Sequence, residues 1–215
     1  MRHGFSDGAA RETALHREGD GTPRAGFLRR AGLLAGAALT SGGLAAALPA
    51  AGRSASIGRD VKILNYVLRL ESLKAAFYSQ AAANGGLSGE LQQMAEVLAR
   101  QEHAHVSFLR DRLGGVAAPE RTYDFGDAVT DEGRFSDTAY ELEAAAVAAY
   151  IGEGPNLSGA LMVPFAQMCS VEARHAAWIA DVIRKDPAPR PADRARAPAD
   201  VLAFLKATGF ESSSS

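Results

Sequence analysis

Two short strings limit what this chain can be. Glu102-His103-Ala104-His105 lies inside a run without Gly or Pro, and Glu172-Ala173-Arg174-His175 lies inside another. On a helix, a three-residue spacing puts a carboxylate and an imidazole on one face, one turn apart. A single Glu-x-x-His is ordinarily solvated surface. Two of them on facing helices can offer four ligands to a pair of metal ions. Helix-bundle carboxylate sites of that kind need two further carboxylates, one from each remaining helix.

An internal repeat supplies them. Leu70-Glu71-Ser72-Leu73-Lys74-Ala75-Ala76-Phe77-Tyr78 has the frame of Leu142-Glu143-Ala144-Ala145-Ala146-Val147-Ala148-Ala149-Tyr150. Both read Leu-Glu with a Tyr seven residues after the Glu. Glu71 precedes Glu102 by 31 residues and Glu143 precedes Glu172 by 29. The chain therefore reads as two helical hairpins of one pattern, each giving Glu and then Glu-x-x-His. Glu71 lies ~20 Å before the turn at Asn84, and Glu102 ~21 Å after Ser88, so an antiparallel hairpin brings them to one level. Buried carboxylates inside apolar stripes are strongly unfavourable unless paired or metal-bound. The predicted ligands are Glu71, Glu102, His105, Glu143, Glu172 and His175. Glu141 is rotated away from Glu143 and reads as surface. His103 is rotated off the Glu102/His105 face and reads as solvated.

The rest of the pattern is helical. Ala is abundant, and strands rich in Val, Ile and Thr are absent. With 215 residues, 47% of them hydrophobic, the chain suits one globular domain, assigned to residues 58–185. Helix one is expected from about Gly58 to Ala83, on a stripe of Ile63, Tyr66, Val67, Leu70, Leu73 and Phe77. Asn84-Gly85-Gly86 ends it, with Gly available for a left-handed cap. Ser88 is the expected N-cap of helix two, and Gly114-Gly115 its stop. Residues 114–134 read as a long polar connection. Twenty extended residues reach ~65 Å, against ~38 Å for a 25-residue helix. The link can thus return along the bundle and set helix three parallel to helix two. Ser136 and Asp137 are the N-cap candidates of helix three, which continues to about Ile151. Helix four starts near Ser158, with Pro164 able to kink or delay it. The fold class is all-α: an antiparallel four-helix bundle with one long crossover between helices two and three. Residues 186–215 form a tail, with a short amphipathic helix over Pro198 to Thr208 able to pack on the bundle, and a disordered Ser end.

Residues 1–51 read as an export signal. Arg29-Arg30 precedes a weakly apolar Ala/Gly/Leu run, and Pro49-Ala50-Ala51 offers small residues for cleavage. This resembles a twin-arginine signal, with Leu28 where Ser or Thr is usual. The expected partner is the twin-arginine export machinery, and the expected destination is periplasmic or secreted. An uncleaved signal would instead anchor the chain to the membrane. Cys169 is the only cysteine, so no intrachain disulfide is possible; it reads as a small core residue. A net charge of −2 gives no argument for nucleic acid.

The six-residue pattern on four helices resembles the ferritin-like superfamily, the non-haem di-iron carboxylate bundles. Val-Glu-Ala-Arg-His in helix four and the Ala-rich helix three ending in Tyr-Ile-Gly are similar to exported bacterial members grouped with plant desiccation-related proteins. The resemblance implies that Glu71 and Glu143 are terminal carboxylates, that Glu102 and Glu172 bridge two metals, and that His105 and His175 each bind one. It also implies that Tyr78 and Tyr150 stand close enough to hydrogen-bond a bridging carboxylate or pass an electron. The competing reading makes each an interior aromatic whose hydroxyl takes any partner. Carboxylates and imidazoles suit two divalent ions, iron preferred and manganese possible. The expected reactions are Fe(II) oxidation or consumption of dioxygen or peroxide. The alternative is a metal-stabilised structural or desiccation-protective protein without turnover.

Overall fold

A computed structural model describes residues 50–212, with side chains from Ser56 onward. The signal call at Arg29-Arg30 and the end of the Ser tail lie outside the described residues. Helix α1 spans Ala50–Asn84, α2 Gly89–Leu113, α3 Glu132–Glu153, α4 Gly159–Val182 and α5 Pro198–Thr208. No described helix is long and apolar enough to cross a membrane.

The start of α1 departs from expectation. It begins at Ala50 rather than near Gly58. Residues 50–57 include no Pro, and one helical Gly is unfavourable by only ~1 kcal/mol relative to Ala. The end is as read: Gly85 takes φ 68°, the left-handed cap. Gly86 follows because a Cβ there would collide with the Thr130 carbonyl oxygen. Ser88 is the N-cap of α2. Its N–H and its hydroxyl both donate to Glu132 Oε1, at 2.9 and 2.7 Å.

Those contacts fix the topology. They join the starts of α2 and α3, so the two helices run the same way. At the other end of the bundle, Asn65 holds the beginning of the link. Its Nδ2 donates to Val116 O at 3.0 Å, and its Oδ1 accepts from Ala118 N at 2.6 Å. The link therefore runs from the level of Asn65 back to the level of Gly86, the length of the bundle. The second hairpin turn lies at the Asn65 end, where Asp60 Oδ1 accepts from Ser158 N at 3.0 Å.

The link is less polar than its sequence suggests. Phe125, Ala128 and Val129 are buried. Phe125 packs edge-on to Phe77 at 5.4 Å and to Phe210 at 5.1 Å. The start of α3 also needs correction. Asp131, not Ser136 or Asp137, is the N-cap, accepting from Arg134 N at 2.8 Å. Ser136 lies inside the helix with its hydroxyl on Glu132 O at 2.6 Å. The earlier start lets Phe135, fully buried, stack on Phe77 at 5.3 Å.

Helix α4 starts at Gly159 and accommodates Pro164 without delay. The C-terminal helix matches its expected bounds and buries Val201 and Leu205. Behind it, Asp124 N donates to Phe210 O and Ser212 N to Thr122 O, fastening the chain end to the link. Arg69 forms an ion pair with Glu211 on the same seam. Two apolar clusters result. One gathers Leu73, Phe77, Leu98, Phe135 and Ile179; the other gathers Ile63, Val67, Leu109, Phe165 and Met168. Along α2 and α4, the Glu-x-x-His turns fall between them.

Candidate metal centre

Each helix contributes its carboxylate from a stripe otherwise filled with Leu, Ala, Phe or Met. Glu71, Glu102, Glu143 and Glu172 are all 0% exposed, and His105 and His175 are 8% and 4% exposed. The six side chains meet at mid-bundle as two overlapping quartets. One is Glu71, Glu102, His105 and Glu172; the other is Glu102, Glu143, Glu172 and His175. Within each quartet, ligand atoms of all four residues lie within 4.8 Å of one another. His105 Nδ1 is 2.9 Å from Glu172 Oε1 and 3.4 Å from Glu71 Oε2. His175 Nδ1 is 3.1 Å from Glu102 Oε1 and 3.6 Å from Glu143 Oε2. The two imidazoles lie 6.4 Å apart.

A seventh residue stands among them. Lys74 is 0% exposed. Its Nζ is 3.1 Å from Glu102, 3.2 Å from Glu143 and 3.4 Å from Glu71, and it also pairs with Glu172. Sequence reasoning missed it. The available signal was its position three residues after Glu71, on the face that also holds Leu70, Leu73 and Phe77. Gln101 was missed as well. Its Oε1 lies 2.5 Å from His175 Nε2, so that nitrogen carries the hydrogen. Nδ1 is then left facing the carboxylates and needs a proton or a metal ion.

Of the two repeat tyrosines, Tyr78 makes a hydrogen bond across the repeat and the buried Tyr150 hydroxyl makes none. Tyr78 donates to Glu143 Oε1 at 2.7 Å. That is a carboxylate expected to be terminal, not a bridging one. Tyr150 is fully buried, and burial followed by the Glu71 charge pushes its phenol well up. His103 lies off the cluster, hydrogen-bonded to Ser79 at 2.9 Å. Glu141 is exposed and Cys169 is half-buried. Burial and then the Glu172 charge raise the Cys169 thiol.

Electrostatics sort the carboxylates into two kinds. Burial alone would raise Glu71, but Lys74, Glu102 and His105 together outweigh it and hold the carboxyl well below its usual range. Glu143 is treated the same way, down to about 2. Burial raises Glu102 against the pull of Lys74, with the Glu71 and Glu143 charges adding to the rise. Glu172 is pushed up further, by burial and then by Glu71. Burial would lower Lys74, yet the surrounding carboxylates hold it well above its ordinary value. Burial would likewise lower the histidines; the carboxylates beside them, Glu102 foremost, instead raise His105 to about 12 and His175 to about 9.

The donors fit divalent cations. Both oxygens of Glu71 and of Glu102, Oε1 of Glu172 and Nδ1 of both histidines are buried without a hydrogen-bond partner. Buried polar atoms are rarely left so. A cleft of about 310 Å³, lined by Val97, Gln101, Ala104, Val171, Arg174 and Trp178, opens onto both histidines.

A family model described as a ferritin-like domain matches residues 59–185, more than half of the chain. The chain belongs to the ferritin-like family. No curated protein matches it. The ferritin-like match covers the six clustered acids and histidines and Lys74.

Proposed function

We propose that this ferritin-like chain binds iron or manganese on Glu71, Glu102, His105, Glu143, Glu172 and His175 and works as an oxidoreductase, oxidising Fe(II) or consuming peroxide. The observation that supports this best is the pair of buried quartets whose imidazole Nδ1 atoms face unpartnered carboxylate oxygens. A bound redox metal would supply the one-electron chemistry that these side chains lack. The chain's own residues would do the remaining work. Glu102 and Glu172, shared by both quartets, would hold the metal from both hairpins. Gln101 would keep His175 in its ligating tautomer. The cleft beside Gln101 and Trp178 would admit small oxidants, and the two apolar clusters would exclude bulk water. Tyr78 would hold the phenolic proton on Glu143.

The test is anaerobic loading with Fe(II), followed by oxygen and peroxide electrode traces. Consumption in step with added Fe(II), lost in Glu102→Ala, is the expected result. A protein that retains no metal ends the reading.

Lys74 supports a second reading. An ammonium already among the four carboxylates offsets part of their charge. A metal-stabilised or desiccation-protective protein without turnover would bind the metal and consume no oxidant. Export rests on Arg29 and Arg30. Changing both to Lys should hold the precursor in the cytoplasm, and normal export of that variant would exclude the twin-arginine route.

A further inference from the structure

At one buried position the internal repeat exchanges a charged residue for an apolar one. Three residues after Glu143 the chain has Ala146, fully buried. Three residues after Glu71 it has Lys74, also fully buried. A small side chain leaves the space between the carboxylates open. A lysine fills it with a fixed charge.

That charge lies within 3.4 Å of all four carboxylates, but its hydrogen bonds are not shared evenly. The hydrogen bonds of Lys74 Nζ go to Glu143 Oε2, at 3.2 Å, and to Glu172 Oε2. Tyr78 takes the other Glu143 oxygen at 2.7 Å. Both oxygens of Glu143 are therefore occupied, together with one of Glu172. Glu143 belongs to the His175 quartet alone, and Glu172 is shared by both. Both oxygens of Glu102, Oε1 of Glu172 and Nδ1 of both histidines make no hydrogen bond. The quartets differ at the remaining carboxylate: both oxygens of Glu71 also make none, whereas both of Glu143 are taken.

We propose that Lys74 serves as a built-in cation for the His175 quartet, so that the chain holds one divalent ion, bound by Glu71, Glu102, His105 and Glu172, where its repeat would otherwise hold two. The proposal rests on the metal-binding reading above. Its physical basis is exclusion. An ion bound at ~2.0–2.2 Å by Glu143 and Glu172 would need the same oxygens that the ammonium holds. Lys74 has no exposed surface to retreat to. Ala146, its counterpart, shows what the position tolerates when no charge is needed.

The test is metal stoichiometry. The full chain is stripped with chelator, reloaded anaerobically with Mn(II), freed of excess ion and assayed by elemental analysis and electron paramagnetic resonance. The expected result is one Mn(II) per chain with the hyperfine pattern of an isolated ion. Lys74→Ala, which restores the residue of the repeat, should take two, with the altered spectrum of a coupled pair. His105→Ala should lose the single ion, and His175→Ala should keep it. Two ions in the unaltered chain, or loss of the ion in His175→Ala but not in His105→Ala, would overturn the assignment while leaving metal binding intact. No ion in any of the proteins would overturn both. If Lys74→Ala does not fold, the unaltered chain and the two histidine variants still decide the question.

Discussion

The Tyr78 hydroxyl on α1 is 2.7 Å from Glu143 Oε1 on α3, both residues fully buried. This bond crosses between the two halves of the repeat. Tyr78→Phe removes the donor and leaves the carboxylate short of a partner in a dry interior. The expected loss is about 1–3 kcal/mol of stability. Urea unfolding of the metal-free protein measures it, and an unchanged midpoint would mean that the bond contributes nothing.

Lys74→Met keeps the length of the side chain and deletes its charge. Breaking one partner of a buried ion pair is destabilising by about 3–5 kcal/mol. Here the remaining partners are four carboxylates, so the chelator-treated variant should melt far below the parent at neutral pH. Mn(II) should restore more of the melting temperature in the variant than in the parent. Equal metal effects in both proteins would argue against Lys74 as the counter-charge.

The pH profile of the metal-free protein follows from the histidines. Each is raised from 6.5, His175 to about 9 and His105 to about 12. A raised basic group stabilises the fold fully below its unfolded value, and that stabilisation is lost as pH rises through the folded one. Melting temperature in chelator should therefore fall between 6.5 and about 9 as the His175 contribution is withdrawn. Glu143, lowered from 4.5 to about 2, acts in the opposite sense, and its contribution is lost as pH falls through that lower value. Metal binding at the His105 quartet needs that imidazole free of its proton, so Mn(II) affinity should rise as pH rises. A flat melting profile there would contradict the assignment.

Gly86→Ala probes the seam between the first turn and the start of α3. A Cβ would strike the Thr130 carbonyl oxygen, a backbone atom that cannot rotate aside. About 1–3 kcal/mol of destabilisation is expected from such crowding. Gly115→Ala, where a Cβ meets nothing, is the control. Equal melting temperatures for the two variants would show that the seam yields.

The meeting of Glu71, Glu102, His105, Glu143, Glu172 and His175 was legible because helical rise and a repeated string fix both level and face. Lys74 was not. A lysine in an apolar stripe ordinarily extends its amine to water, and nothing local to Leu73-Lys74-Ala75 says that four carboxylates from four helices will surround it. The crossover direction was legible from the length of the link. Its buried Phe125 was not, because Tyr123 and Phe125 among Gly, Asp and Thr are too few to show a helical period. The start of α3 was misread because two Ser/Asp candidates lay inside the helix. Asp131 won because starting there lets Phe135 reach the core.

The seam between the link and the chain end has a consequence for biosynthesis. Arg69 and its partner Glu211 stand 142 residues apart, and Phe210 and Ser212 hold Asp124 and Thr122. A chain emerging N-terminus first completes both hairpins before it has anything with which to fasten the crossover. The residues that lock it, Phe210, Glu211 and Ser212, are translated after both hairpins, so the bundle can assemble first and have its crossover fastened afterwards.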